Sequence, residues 1–505
     1  MKKLLSSLSL VSVISASVFF AGCNSTAESS KAQADTNIEK VDYFADNALK
    51  SALAIVQHPA GIHKDGITYV SYQGPKEDPY VASYNHDTGV WQGPYQAGVS
   101  ALGKDLTQPK NIDNHGKPTM LIDNLGYIHM FFGGHGGDAR YGKNKLGDTH
   151  YAANQHSVSK RPYDITEWEK LDNITPFGTY NQAVKMDNGD IYLFYRHGAH
   201  RSNWVYQKST DHGRTFEEPV SILKTKRRKD IPATDSWYIY ISKGQGDDII
   251  VSYDYHVCWM GKKVKRGHTT ERHDAYFMKF DTKKNTWTNV QGEKLSLPLT
   301  REVADEKTLV TRTGGAGFWT FNGSSHIDEL GNPHIGINIG KDLGQKTGGP
   351  KQTRHFRWTG TEWVGGQPVY AQAVADGTAT RGDFIVKSPT EVDFILGYQE
   401  KGDGIISYYG TKDGGETFTK GKELLRRSKA AFAVTAIIDN SHPDARMIVA
   451  EKPKGSDWRR IYLVGDNGPI QRAKADANVL TKAVKDELRA FKTAHKAHKA
   501  SKKKK

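Results

Sequence analysis

A hairpin pattern recurs along this chain at intervals of roughly sixty residues, and an internal repeat of that length restricts the fold to arrays of small, similar units. Each copy has an apolar strand, an Asp/Asn/Gly turn, a strand rich in Ile, Tyr and Phe, a polar loop, a further aromatic strand and a closing Trp or Phe. It reads PTMLIDNLGYIHMFFGG at 118–134, NQAVKMDNGDIYLFYRHG at 181–198, WYIYISKGQGDDIIVSYDYH at 237–256 and HIDELGNPHIGINIG at 326–340. Fainter copies start near Ile67, Gly382 and Ala433. The turns DNLG, DNGD and GQGDD are hairpin chemistry, and the flanking residues alternate as half-buried strands do. Two segments, Ser209–Phe216 (STDHGRTF) and Thr411–Phe418 (TKDGGETF), match the Asp-box pattern S/T-x-D-x-G-x-T-F. In such a box the Asp binds backbone amides of a turn and the aromatic packs between blades, so Asp211 and Asp413 are structural. Seven copies between 45 and 470 predict an all-β chain, a seven-bladed β-propeller of four-stranded antiparallel blades.

The two ends differ from this body. Lys2-Lys3, an apolar run to Phe19-Phe20 and Ala21-Gly22-Cys23 form a charged, then hydrophobic, then small-residue signal, too short and wrongly flanked for a membrane span. Residues 1–22 are expected to be a lipoprotein-type signal peptide, with Cys23 lipidated and the protein exported to the outer membrane or cell surface, or secreted. Residues 23–44 are expected to be a polar tether. The net charge of +14 is concentrated at the ends, because residues 471–505 hold twelve Lys/Arg against three Asp/Glu. Nucleic acid therefore ranks last among partners, and the tail, with Leu480, Val484, Leu488 and Phe491 at helical spacing, predicts a short amphipathic helix before a solvated basic end. Two Cys in 505 residues exclude a disulfide scaffold. A monomer is expected, with the membrane met only through the lipid.

In a propeller the first strand of each blade starts, and the second strand ends, on the same face around the central channel. The starts hold His115, Tyr180, Tyr238 and, in the HIDELG copy, His326; the ends hold His135, Arg196 and His256. A single Tyr or His at such a position is more often a packing or backbone-binding residue. Convergence from adjacent blades is what selects these, while His129, alternating away from the mouth, is expected to be structural. Arg, His and Tyr together suit removal of a proton α to a carboxylate: Arg neutralises the carboxylate, a base takes the carbon-bound proton and an acid protonates the leaving oxygen. Those are the requirements of a uronate polysaccharide lyase, which needs no redox cofactor.

At these residues (the His115–His135 spacing, GTYNQ, LFYRHG and SWYIY) the sequence resembles the ulvan lyases of polysaccharide lyase family 25, within the wider group of Asp-box propeller proteins. The resemblance spans the whole propeller. It implies cleavage of ulvan, a sulfated algal polysaccharide, by β-elimination between 3-sulfated rhamnose and glucuronate or iduronate, leaving a 4,5-unsaturated uronate. It further implies that His115 and Tyr180 are the base/acid pair, in an order that can depend on the C5 epimer, that Arg196 neutralises the carboxylate, and that His135 and Tyr238 hold substrate.

Basic loops fit a polyanion: Lys224, Lys226, Arg227, Arg228 and Lys229 precede the Tyr238 strand, and Lys262, Lys263, Lys265 and Arg266 follow the His256 strand. His256, Cys258 and His268 offer imidazole and thiol ligands near one loop, and the resemblance includes a structural metal near this blade. Zinc held by these three and a fourth ligand, His200 or His273, is the expectation, with His200 at the same face one blade earlier. An Asp-box hydrolase of the sialidase type would need an arginine triad and an acidic acid/base residue, neither of which is evident. A glycan-binding propeller without catalysis would have no use for a His/Tyr pair beside Arg196.

Overall fold

The computed structural model describes residues 38–53, 58–108, 110–113, 115–260 and 271–504. Seven antiparallel blades follow one another along the described chain. The first runs through Gly61–Lys64, Ile67–Gln73, Pro79–Asn85 and Val90–Gln96, and the second through Thr119–Ile122, Ile128–His135, Tyr151–Ser159 and Trp168–Leu171. The third holds Thr179–Lys185, Ile191–Arg196, Trp204–Ser209 and Val220–Leu223. The fourth holds Ala233–Lys243, Asp248–Trp259, Arg272–Asp281 and Thr286–Thr288, with Lys226–Arg227 and Leu309–Thr311 added to its sheet. Phe318–Ile327 begins the fifth, Arg381–Val386 the sixth and Phe432–Val434 the seventh.

Local chemistry accounts for the hairpins. The Asp123 carboxylate accepts from the amides of Leu125 and Tyr127 (2.9 and 2.8 Å), and Gly126 closes the turn at φ +88°, where a side chain would be strained. Second strands are covered on both sides, and every residue of Ile128–His135 and Ile191–Arg196 is buried. Both Asp boxes form as their pattern requires. Asp211 accepts from the Thr215 amide and hydroxyl (2.9 and 2.6 Å), and Phe216 wedges against Phe131 and His156 of the preceding blade. Asp413 makes the equivalent bonds to Thr417.

The ring closes with a strand from the other end of the chain: Ala45–Leu49 pairs with Trp458–Gly465 and supplies the outer strand of the seventh blade. This moves the expected boundaries. Lys40–Val41 pairs with Arg472–Ala473, and Tyr43 and Phe44 are buried, so the compact unit begins at Glu39 and includes the last residues assigned to a tether and the first assigned to a tail. The C-terminal helix is longer than its apolar spacing suggests, running over Lys482–Lys503 with Thr481 capping the Val484 amide. Ion pairs Lys76–Glu487 and Lys492–Asp457, both 2.6 Å, tie it to the first and seventh blades. No helix among the described residues is long and apolar enough to cross a membrane. The proposed signal and Cys23 lie outside the described residues.

Candidate active site

Blades two to four build one wall of the channel mouth. His115 lies in the loop leading into Thr119–Ile122, and His135 ends the next strand, so the two imidazoles meet with ring centres 3.5 Å apart. Asp113 lies behind both. Its carboxylate bonds Nδ1 of His115 (2.6 Å) and Nδ1 of His135 (3.0 Å), accepts from the His115 amide (2.7 Å), and receives the Tyr151 hydroxyl. Tyr180 is on the neighbouring blade, its ring centre 5.3 Å from His115 and 5.6 Å from Tyr238. Its backbone is held at φ +64°, beside a break in register between Thr179 and Gln182. A non-glycine residue in that conformation costs about 1 kcal/mol or more and persists where surrounding structure imposes it. Here the imposed turn aims the phenol at His115.

Arg196 is fully buried beneath the two tyrosines. Its guanidinium carbon lies 5.0 Å from the Tyr180 ring centre and 5.5 Å from that of Tyr238, and Nη1 donates to the Tyr238 hydroxyl at 3.3 Å. Nη2 is buried with no hydrogen-bond partner among the described residues. Such an orphaned donor fits a site that receives an anion.

The electrostatics divide the labour. Burial opposes charge on Asp113, but His115 and His135 outweigh it and hold the carboxyl well below its usual range. Burial, then the adjoining His135, pushes His115 down to about 3, and burial likewise lowers His135. One ionised carboxylate therefore orients two neutral imidazoles by accepting from their Nδ1–H groups, which leaves each Nε2 as the basic nitrogen. Burial and then Tyr238 raise Tyr180 well above the normal phenol value, so it keeps its proton until something removes or transfers it. A neutral imidazole and a protonated phenol adjoin each other over a buried cation.

The residues expected at the mouth do come together: His115, His135, Tyr180, Arg196 and Tyr238 form one contiguous cluster. His200 adjoins it, 6.3 Å from His115 and 5.9 Å from His256 between ring centres. His256 and Cys258 are two residues apart on one strand and share a side of the sheet. His268 lies outside the described residues, as do Lys262, Lys263, Lys265 and Arg266.

His326 is a correction. It is near the end, not the start, of Phe318–Ile327, so its imidazole meets Asp383 (2.8 Å) at the opposite end of the channel. His129 is buried in the blade core against His156 and Asp123, as expected. Part of the basic loop is already neutralised, since Lys226 pairs with Glu302 (2.7 Å) and Arg228 with Asp230.

Several site residues escaped the strand-end rule. Asp113 is two positions before His115 in DNH, a spacing that could have signalled an orienting carboxylate. Arg272 comes from a third strand, yet its guanidinium lies 3.4 Å from the Tyr238 ring centre and lines the cavity. Lys117, in HGKP, lines the same cavity.

Comparison with known proteins decides the family. A model described as BNR repeat-containing family member matches residues 67–367. "Ulvan Lyase-PL25" of Pseudoalteromonas sp. (strain PLSV) is 61% identical over 457 residues, covering 90% of this chain and 92% of the relative. The chain belongs to the ulvan lyases of polysaccharide lyase family 25. A second ulvan lyase, from Alteromonas sp. (strain LOR), is 58% identical over 92% of this chain and 96% of its own length. A solved family 25 ulvan lyase bound to -[GlcA(1-4)Rha3S]- is 62% identical, with a TM-score of 0.84 over 88% of this chain and 100% of that one. The seven-bladed architecture is thus that of an ulvan lyase, and the enzyme is a polysaccharide lyase rather than a hydrolase or a catalytically silent propeller.

Proposed function

We propose that the enzyme cleaves ulvan between 3-sulfated rhamnose and a uronic acid, glucuronate or iduronate, by β-elimination. His115 Nε2 takes the C5 proton of the epimer that presents it there. The C5–H electron pair forms the C4=C5 bond, the C4–O bond breaks, and Tyr180 gives its proton to the departing oxygen. The product carries a 4,5-unsaturated uronate. Arg196 and Arg272 supply positive charge for the carboxylate, on which negative charge builds as the proton leaves. His135 and Tyr238 hold the sugar. The observation that carries this reading is the neutral His115, oriented by Asp113 and facing a protonated Tyr180 above Arg196. Among the described residues the cavity lining contains no Asp or Glu to act as a hydrolase's carboxylate pair. The test is ultraviolet absorbance during incubation with ulvan. A rising trace that Arg196→Met reduces by at least 10²-fold is expected; new reducing ends on a flat trace would sink the reading.

We also propose a structural zinc on His200, His256, Cys258 and His268. What supports it is the donor set: the His200 and His256 rings lie 5.9 Å apart, the buried Cys258 is two residues beyond His256 on the same strand, and the His200 carbonyl accepts from Ser236 (2.7 Å), the residue paired with His256. Burial pushes the Cys258 thiol up, and a bound cation would offset this by holding the thiolate. Zinc closed by four protein ligands would brace the loop without chemistry. Elemental analysis is expected to find one zinc per chain, lost in Cys258→Ser with a lower Tm. A zinc-free wild type with the same Tm as that variant would contradict it.

A further inference from the structure

The C-terminal helix carries a row of cations that the elimination does not use. Lys485, Arg489, Lys492, Lys496 and Lys499 recur at steps of four and three residues, so they share one face of Lys482–Lys503. At 1.5 Å per residue the row is about 21 Å long. The whole helix holds eight Lys and Arg against Asp486 and Glu487, and like charges spaced in this way weaken a helix unless an anion lies along them. Val484, Leu488 and Phe491 are half-buried on the neighbouring face, where they meet Leu49 and Trp458 around a cavity beneath the helix. The propeller thus occupies the apolar face, while Lys485, Arg489, Lys496 and Lys499 stand exposed beside it.

This row is one wall of a groove of about 670 Å³, and residues 455–458 with Asn111 form the other. Asp457 is the one carboxylate among the described lining residues, and Lys492 binds it at 2.6 Å. Arg489 reaches back to Asp486 (2.8 Å), whereas among the described residues neither Lys485 nor Lys496 forms an ion pair. The propeller wall leads straight to the catalytic cavity. Lys452 and Arg459 line that cavity, and residues 455–458 lie between them in the chain, on the face where second strands end. Asn111 is two positions before Asp113. A polymer leaving the mouth between the first and seventh blades therefore meets the helix.

We propose that this groove is a secondary site, outside the catalytic cavity, that holds the emerging length of a sulfated uronate polymer. The inference rests on the reading of the substrate as such a polymer and adds a surface remote from the bond that is cut. A regular row of exposed cations attracts closely spaced sulfates and carboxylates without fixing one register. It therefore retains the chain between cuts and does not select a sugar. Anionic lipid is the other polyanion that a basic amphipathic helix meets, but insertion needs the apolar face, and that face packs against the blades.

The test combines Lys485→Gln, Arg489→Gln and Lys496→Gln in one variant, which leaves the Lys492–Asp457 tie in place. A control carries Lys283→Gln, Lys284→Gln and Lys412→Gln, removing the same charge from turns that follow third strands on the opposite face. At low ionic strength KM on polymeric ulvan is expected to rise about threefold or more in the groove variant, since each exposed charge contributes little by itself. Its kcat, and its rates on the shortest ulvan oligosaccharide that is cut, should stay at wild-type values. The difference should vanish in about 0.5 M sodium chloride. An unchanged KM on the polymer, an equal loss on the oligosaccharide or an equal loss in the control overturns the proposal. So does a loss in Lys485→Arg with Lys496→Arg, which keeps the charge and separates its effect from a loosened helix. Retardation in native gels containing ulvan needs no turnover and should weaken only in the groove variant. If the wild type makes no unsaturated product, the proposed elimination fails, while the gels still decide the groove. Lost binding to phosphatidylglycerol vesicles with unchanged retardation by ulvan would assign the row to a membrane and overturn the proposal.

Discussion

Tyr180→Phe is expected to lower kcat on ulvan by about 10²–10⁴-fold, the range that a positioned acid contributes to proton transfer, while the protein folds and binds substrate as before. The substitution removes one oxygen and keeps the ring, whose packing against His115 and Tyr238 and whose forced backbone turn do not depend on the hydroxyl. The effect should therefore fall on kcat, with KM changed little. It should also depend on the leaving group. A substrate whose departing oxygen needs no proton, such as a uronate bearing an aryl ether of low pKa at C4, should recover most of the lost rate, because only protonation of that oxygen has been removed. A variant that retains more than a tenth of wild-type kcat on ulvan would exclude Tyr180 as the acid. Full loss on both substrates would point instead to a role in removing the carbon-bound proton.

Much of this site could be read from the sequence because propeller topology turns a linear repeat into a radial one. Once a hairpin is recognised, a strand start and the following strand end must share a face, and His115, His135, Tyr180, Arg196 and Tyr238 follow directly. The same rule fails at His326 because the HIDELGNPH segment reads as a strand start. Phe318–Ile327 begins eight residues before His326, which puts it at the hairpin end. Arg272 was invisible to a rule about first and second strands. It reaches the mouth because the fourth blade has strands of 11 and 12 residues, long enough for a third-strand residue paired with His256 to approach Tyr238. The closing strand Ala45–Leu49 pairs with residues more than 400 positions away, and nothing in five residues names that partner. Lys117, Arg381 and Lys452 are far apart in the chain, and only the closed ring brings blades two, six and seven to one cavity.

Asp113→Asn should reduce kcat by about 10²-fold or more, by removing the charge that stabilises His115 as it takes the proton and by turning the tautomer of His135, rather than by removing a catalytic atom. Four donors converge on the Asp113 carboxylate: two imidazole Nδ1–H groups, the His115 amide and the Tyr151 hydroxyl. An Asn side chain offers one acceptor oxygen and turns its other end into a donor. The His115 amide and Nδ1 share one carboxylate oxygen, so the Asn oxygen stays with them and the new NH2 faces Nδ1 of His135, which must then accept and carry its proton on Nε2. His115 keeps its tautomer but loses the negative charge that stabilises it as it takes the C5 proton, and the pH profile reads that loss. In the wild type, burial and then His135 hold His115 near 3, so the base stays neutral far below the ordinary 6.5 and the acid limb of kcat/KM lies well below that value. Asp113 raises His115 against those effects, so Asn should move the limb lower still while the plateau drops. The stability linkage has the matching sign. A histidine kept neutral by folding contributes stability that is present above 6.5 and is lost as pH falls toward 3. An acid limb that moves upward in Asp113→Asn, or a plateau at wild-type height, would show that the Asp113 charge does not act on the base.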